Sequence, residues 1–186
     1  MSRFKEITPE EMTPEQAEVW QEITTQRPSP AGPFNLWLRS PEMARRAAGL
    51  GAYLRLRTSL EPRLSELAIL VTARHWHCQA EWSIHEPFAR QAGLSASVIE
   101  ELNHKLVPEF EAADEAAVYA FCRQTLDQGQ VSDEVFEQCR EVLGETGVME
   151  LAGLVGYYCL VAFSLNIFQV PLPPDIPPRL SGVPDE

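Results

Sequence analysis

The sequence predicts an all-α fold, and three features of the 186-residue chain carry that prediction. Proline stands at the head of successive apolar runs, at Pro14, Pro41 and Pro62. At a first helical position its missing N–H is an orphan in any case, and its fixed φ suits the helix. The runs that follow repeat their apolar residues every three or four positions, the helical period. Finally, no pair of alternating segments flanks a hairpin turn, and there is no repeat or low-complexity tract. A chain this long buries roughly 70% of its unfolded surface, so one core suffices without staples.

The elements follow in order. Thr13 is an N-cap candidate, with Pro14 at the first position and Gln16 completing a capping box. Ala17, Trp20 and Ile23 then form one apolar face. Residues 27–33 (Arg-Pro-Ser-Pro-Ala-Gly-Pro) read as a loop, and Phe34, Leu36, Trp37 and Leu38 after it should dock on the body. Ser40-Pro41 opens a second helix to about Leu56. Pro62 opens a third, dense enough in Leu64, Leu67, Ala68, Leu70 and Val71 to be buried. A fourth runs from Glu81 to Ala92, with Pro87 removing one backbone bond inside it and Gly93 stopping it. Ser95 caps a short fifth. Asp114 to Leu126 is a sixth, closed by Gly129. Ser132 caps a seventh that ends near Gly144, with Val131 and Phe136 placed as a hydrophobic staple. An eighth, apolar helix runs from Val148 to about Phe168, and a proline-rich extended tail follows from Pro171.

Charge and cysteine usage narrow the function classes. The formal net charge of −12 argues against nucleic acid or an anionic membrane surface as partner, because both need a basic face. The four cysteines, Cys78, Cys122, Cys139 and Cys159, are widely spaced, without a CxxC, and no apolar run follows the N-terminal charges. Free thiols in a cytoplasmic, reducing setting are expected. Residues 151–172 carry no charge and are long enough to span a bilayer. Their glycines, tyrosines, Asn166, Gln169 and closing prolines favour a buried central helix instead.

Reactive side chains concentrate between Glu66 and Glu86. Glu81 and His85 stand four apart, which on a helix puts them on one face with Cβ atoms roughly 6 Å apart. Such a carboxylate fixes the imidazole tautomer and raises its basicity, as a general base requires. Cys78 lies near the start of the same helix, where an N-terminus lowers a thiol pKa, so a partial thiolate is expected. Glu66 reaches the same pocket if the third and fourth helices pack antiparallel. His77, Glu81 and His85 would form a metal-binding stripe on one continuous helix. The helix break expected near His77 spoils that stripe, and neither metal nor cofactor is expected.

These residues resemble a known family. Glu66, Cys78 and His85 match the E-x(11)-C-x-x-C-x-x-x-H pattern of alkylhydroperoxidase D-like proteins, with Glu81 where the second cysteine would stand. The stretch from Glu81 to Pro87, with Ala89 and Ala92-Gly93-Leu94, is similar to the carboxymuconolactone decarboxylase branch. Segments at Gly32 to Asn35, Gly51 to Leu54, Tyr157-Tyr158 and Leu165 to Pro171 are similar to it as well. The resemblance implies a helical bundle over residues 34–174, an N-terminal extension (1–33), a C-terminal tail (175–186) and a homo-oligomer. It implies a site of Glu66, Cys78, Glu81 and His85 acting on a small molecule. His85 would handle protons while Glu66 or Glu81 orients it or serves as the acid, in lyase-type chemistry on a small organic acid or lactone. A cation such as Arg74, His75 or Arg90 would offset the acidic chain for an anionic substrate. The alternatives are thiol-dependent peroxide reduction at Cys78, or a non-catalytic oligomeric ligand-binding protein. Without a second local cysteine, a two-cysteine peroxidase cycle is not expected.

Overall fold

Three of the helices do begin at a proline, and their order sets the architecture. The computed structural model describes residues 2–25 and 32–182, so most of the loop expected over 27–33, and the last residues of the tail, lie outside the described residues. After a 3₁₀ turn at Pro9–Glu11 come α1 (Pro14–Thr25), α2 (Phe34–Trp37), α3 (Pro41–Leu56) and α4 (Pro62–His75). Then follow α5 (Gln79–Gln91), α6 (Ala96–Asn103), α7 (Ala113–Gln128) and α8 (Asp133–Phe168). No strand occurs among the described residues. The capping box of α1 is closed both ways: Thr13 N–H donates to Gln16 Oε1 at 2.9 Å, and Gln16 N–H to Thr13 Oγ1 at 3.3 Å.

Helix α4 is the axis of the bundle. Every residue from Leu64 to Arg74 is buried, and the helix packs against α5, α7 and α8. Leu67, Ile69 and Leu70 are fully enclosed there with Leu151 and Leu154 of α8. Each such side chain contributes about 1.5–3 kcal/mol of burial. At its start, Arg63 clamps Asp114 Oδ2 at 2.6 Å and also meets Glu115, fixing α7 on α4. Helices α1 and α2 lie on α3, which lies on α8. Val19, Ile23 and, from the tail, Leu180 join the same core.

The expected seventh and eighth helices form one element, α8, broken only at Gly144, whose φ of 69° and ψ of 173° leave the helical region. Its apolar part is long and apolar enough to cross a membrane by length and composition alone, and half of that window is buried against the rest of the chain. Close approach of α3 to α8 needs Gly51. A Cβ there would sit 2.1 Å from the Tyr157 hydroxyl.

Candidate functional site

The turn between α4 and α5 builds the site. Trp76 closes α4, His77 takes a left-handed φ of 52°, and Cys78 becomes the N-cap of α5. Cys78 N–H donates back to Ala73 O at 2.9 Å, which folds α5 along α4. The fourth helix therefore starts at Gln79, two residues before the expected Glu81, and the break at His77 falls where the sequence placed it. It takes His77 out of line with Glu81 and His85. The ring is exposed, with Nε2 2.9 Å from Lys105 Nζ.

Folding α5 against α4 brings His85 to Glu66. His85 Nδ1 lies 2.7 Å from Glu66 Oε2, with both side chains less than a tenth exposed. The sequence expectation that Glu81 holds the ring is thereby corrected: one turn of helix makes Glu81 a neighbour, but the hydrogen bond crosses between helices. With Nδ1–H donated to Glu66, the other ring nitrogen is the basic one. Nε2 faces the Tyr158 hydroxyl at 3.4 Å, and the two rings meet edge-on at 5.2 Å. From α3, Arg55 brings its Nε to 3.9 Å from Glu66 Oε1 and its guanidinium to 4.7 Å over the Phe88 ring. Phe88 is exposed and Arg55 half-buried; the rest of the group is closed from solvent.

Glu81 has a different state from Glu66. Its side chain is buried and its Oε2 has no hydrogen-bond partner. Burial, then the nearby charge of Glu66, pushes its carboxyl well above the usual range, with Arg55 opposing. Burial thus favours the neutral carboxylic acid at Glu81, beside the hydrogen-bonded Glu66–His85 pair. The same enclosure corrects the expectation for Cys78. Burial, and secondarily Glu81, raises its thiol strongly, and the backbone N–H groups of Glu81 and Ala80 at the helix start only partly oppose this. Cys78 is a thiol, not a thiolate. All four cysteines are free, and Tyr158 is likewise held protonated by burial.

Sequence reasoning missed Arg55 and Tyr158. The cations it named have other partners: Arg74 donates to Ser181 O at 2.8 Å, His75 faces Asp127 at 3.4 Å, and Arg90 pairs with Glu86. The tail, by contrast, braces α5 from outside. Arg179 N–H donates to Ser83 Oγ at 3.0 Å, and its guanidinium to Glu86 Oε2 at 2.9 Å. A cavity of about 680 Å³ adjoins a neighbouring flank of α5 at Ala80 and Ile84, outside the Glu66–His85 cluster.

No family model matches the chain, and no curated protein matches it. Among solved structures it is similar to a crystal structure of a protein of unknown function from Agrobacterium tumefaciens, provisionally designated the antioxidant defence protein AhpD. The two share 19% identity, with a TM-score of 0.66 over 76% of this chain and 98% of that one. The chain thus has an alkylhydroperoxidase D-like helical fold, in agreement with the resemblance carried by Glu66, Cys78 and His85.

Proposed function

We propose that this protein is an enzyme that moves protons on a small organic acid or lactone, in the manner of a carboxymuconolactone decarboxylase. The observation that carries the reading is the buried contact of His85 Nδ1 with Glu66 Oε2 at 2.7 Å, beside the protonated Glu81. Glu66 fixes the imidazole so that Nε2 is the base. Nε2 takes a proton from a carbon next to a carbonyl, and Glu81 gives its proton to the developing enolate oxygen. In a decarboxylation the C–C bond electrons pass into that carbonyl, CO₂ leaves, His85 Nε2 relays a proton from water to the carbon, and the enol oxygen returns its proton to Glu81. Positioned acid–base groups of this kind contribute typically 10²–10⁴-fold. Solvent-deuterium exchange into small oxo acids and γ-lactone carboxylates, followed by ¹H NMR, tests the reading. Exchange should occur with wild type and vanish in His85→Gln; a wild type inert on the whole panel, or an unaffected His85→Gln, overturns it.

One observation favours a second reading, peroxide reduction at Cys78: the neighbour's designation as an antioxidant defence protein. It would need Cys78 deprotonated against its burial, and an external thiol to resolve the sulfenic acid, because Glu81 replaces a local partner cysteine. Exposed Leu50, Leu56 and Met149 on α3 and α8 support the homo-oligomer expected from the sequence.

A further inference from the structure

A guanidinium at the mouth of a buried acid–base cluster invites the question of what its donors serve. Arg45, Arg63 and Arg179 each meet a carboxylate at 3.0 Å or less. Arg55 does not. Its Nε stands 3.9 Å from Glu66 Oε1, beyond hydrogen-bond reach, and among the described residues its side chain makes no hydrogen bond. The group is nonetheless held in place, because its Cζ lies over the Phe88 ring, 4.7 Å from the ring centre. The side chain keeps 26% of its surface in solvent, while Glu66 keeps 9% and His85 5%. A planar fork of donors is therefore parked on an aromatic ring, between water and the Glu66–His85 pair. Such a fork fits the two oxygens of a carboxylate.

We propose that Arg55 is the substrate's anchor: it binds the carboxylate of a small organic acid at the entrance, so that the carbon a few bonds away reaches His85 Nε2 and the adjoining carbonyl oxygen reaches Glu81. This rests on the acid–base reading and adds to it the ligand's head group and the residue that selects it. The arrangement also reconciles an acidic chain of net charge −12 with an anionic ligand. The compensating cation comes from α3, a helix apart from α5, which carries both Glu81 and His85, and from α4, which carries Glu66. Its charge already reaches the site, since it lowers the proton affinity of both Glu81 and Tyr158. A neutral isostere of the acid would leave the fork unsatisfied and gain nothing from it.

The test uses acetate, benzoate and fumarate as carboxylates, acetamide and benzamide as neutral counterparts, and the ¹⁵N-edited ring resonances of His85 as the local reporter. In wild type the carboxylates should shift those resonances, with Kd values of about 1 mM or below for the best of them, and the amides should not. Arg55→Gln should weaken carboxylate binding about tenfold or more. Arg55→Lys, which keeps the charge and the stacking but not the fork, should fall between and serves if the Gln variant does not fold. No carboxylate binding to wild type, equal binding of amides, or undiminished binding to both Arg55 variants overturns the anchor. The reading beneath it is judged apart: deuterium exchange undiminished in His85→Gln, with Arg55-dependent binding intact, removes the acid–base chemistry and leaves the anchor standing.

Discussion

Glu81→Gln should make the protein more stable and less active at once, by amounts that depend on pH. The folded chain holds Glu81 protonated well above the ordinary glutamate range, because its carboxyl is buried and faces Glu66. The unfolded chain releases that proton in the ordinary range. Between the two pKa values the native state binds more protons than the unfolded state, so the wild type loses stability as pH rises through this window. One proton corresponds to about 1.4 kcal/mol for each pH unit. Glutamine has the shape of the neutral acid and carries no proton to lose, so the variant escapes the loss. In a chain of 186 residues that difference amounts to about 3–5 °C in Tm per pH unit. Thermal unfolding of both proteins from pH 5 to 8 should give curves that diverge upward with pH, while turnover of the variant falls by roughly 10²–10⁴-fold. Parallel Tm–pH curves would show that Glu81 is ionised in the fold, and the acid role would go with it.

Four further outcomes are expected. His85→Ala should lose activity and also about 3–5 kcal/mol of stability, because it strands Glu66 in a buried site; His85→Gln should lose activity with a smaller change in denaturant midpoint. A chromogenic disulfide reagent at neutral pH should titrate Cys159 fast and Cys78, Cys122 and Cys139 only after unfolding, since those three are buried; fast modification of Cys78 would revive the thiolate. Gly51→Ala should lower Tm by several degrees, consistent with an overpacking cost of about 1–3 kcal/mol, because its Cβ would fall on Tyr157. Met149→Lys, at a side chain 72% exposed, should reduce the assembled mass in light scattering if the α3–α8 face self-associates; an unchanged mass would place the contact elsewhere.

What could be read from the sequence was what is local. Thr13 and Gln16 announced the start of α1 because a capping box needs only residues three apart, and Pro41 and Pro62 did the same for α3 and α4. The break near His77 was legible from the crowding of unlike residues around it. Helix α2 was not, since four residues are too few to display a period. Glu66, Cys78, Glu81 and His85 were legible as candidates, but their partnerships were not. Spacing along one helix favoured Glu81 for His85, whereas the packing of α5 on α4 gave it Glu66. Tyr158 was hidden inside an apolar run, where only the rotation of α8 decides which residue turns inward. The thiol of Cys78 was misjudged because a helix start is a local feature and burial is not.

The outer brace of α5 carries a consequence for how the protein is made. Ser83 and Arg179, which bond across it, are 96 positions apart, and His85 and Tyr158 are 73 apart. On the ribosome, α4 and α5 emerge long before either partner exists. A nascent chain that already holds Glu66 and His85 therefore has them with no lid of Tyr158 and no external strap. Contacts this distant form late, because loop closure must precede them. The Glu66–His85 pair should stay wet through most of synthesis, and become enclosed only as the tail is laid across α5.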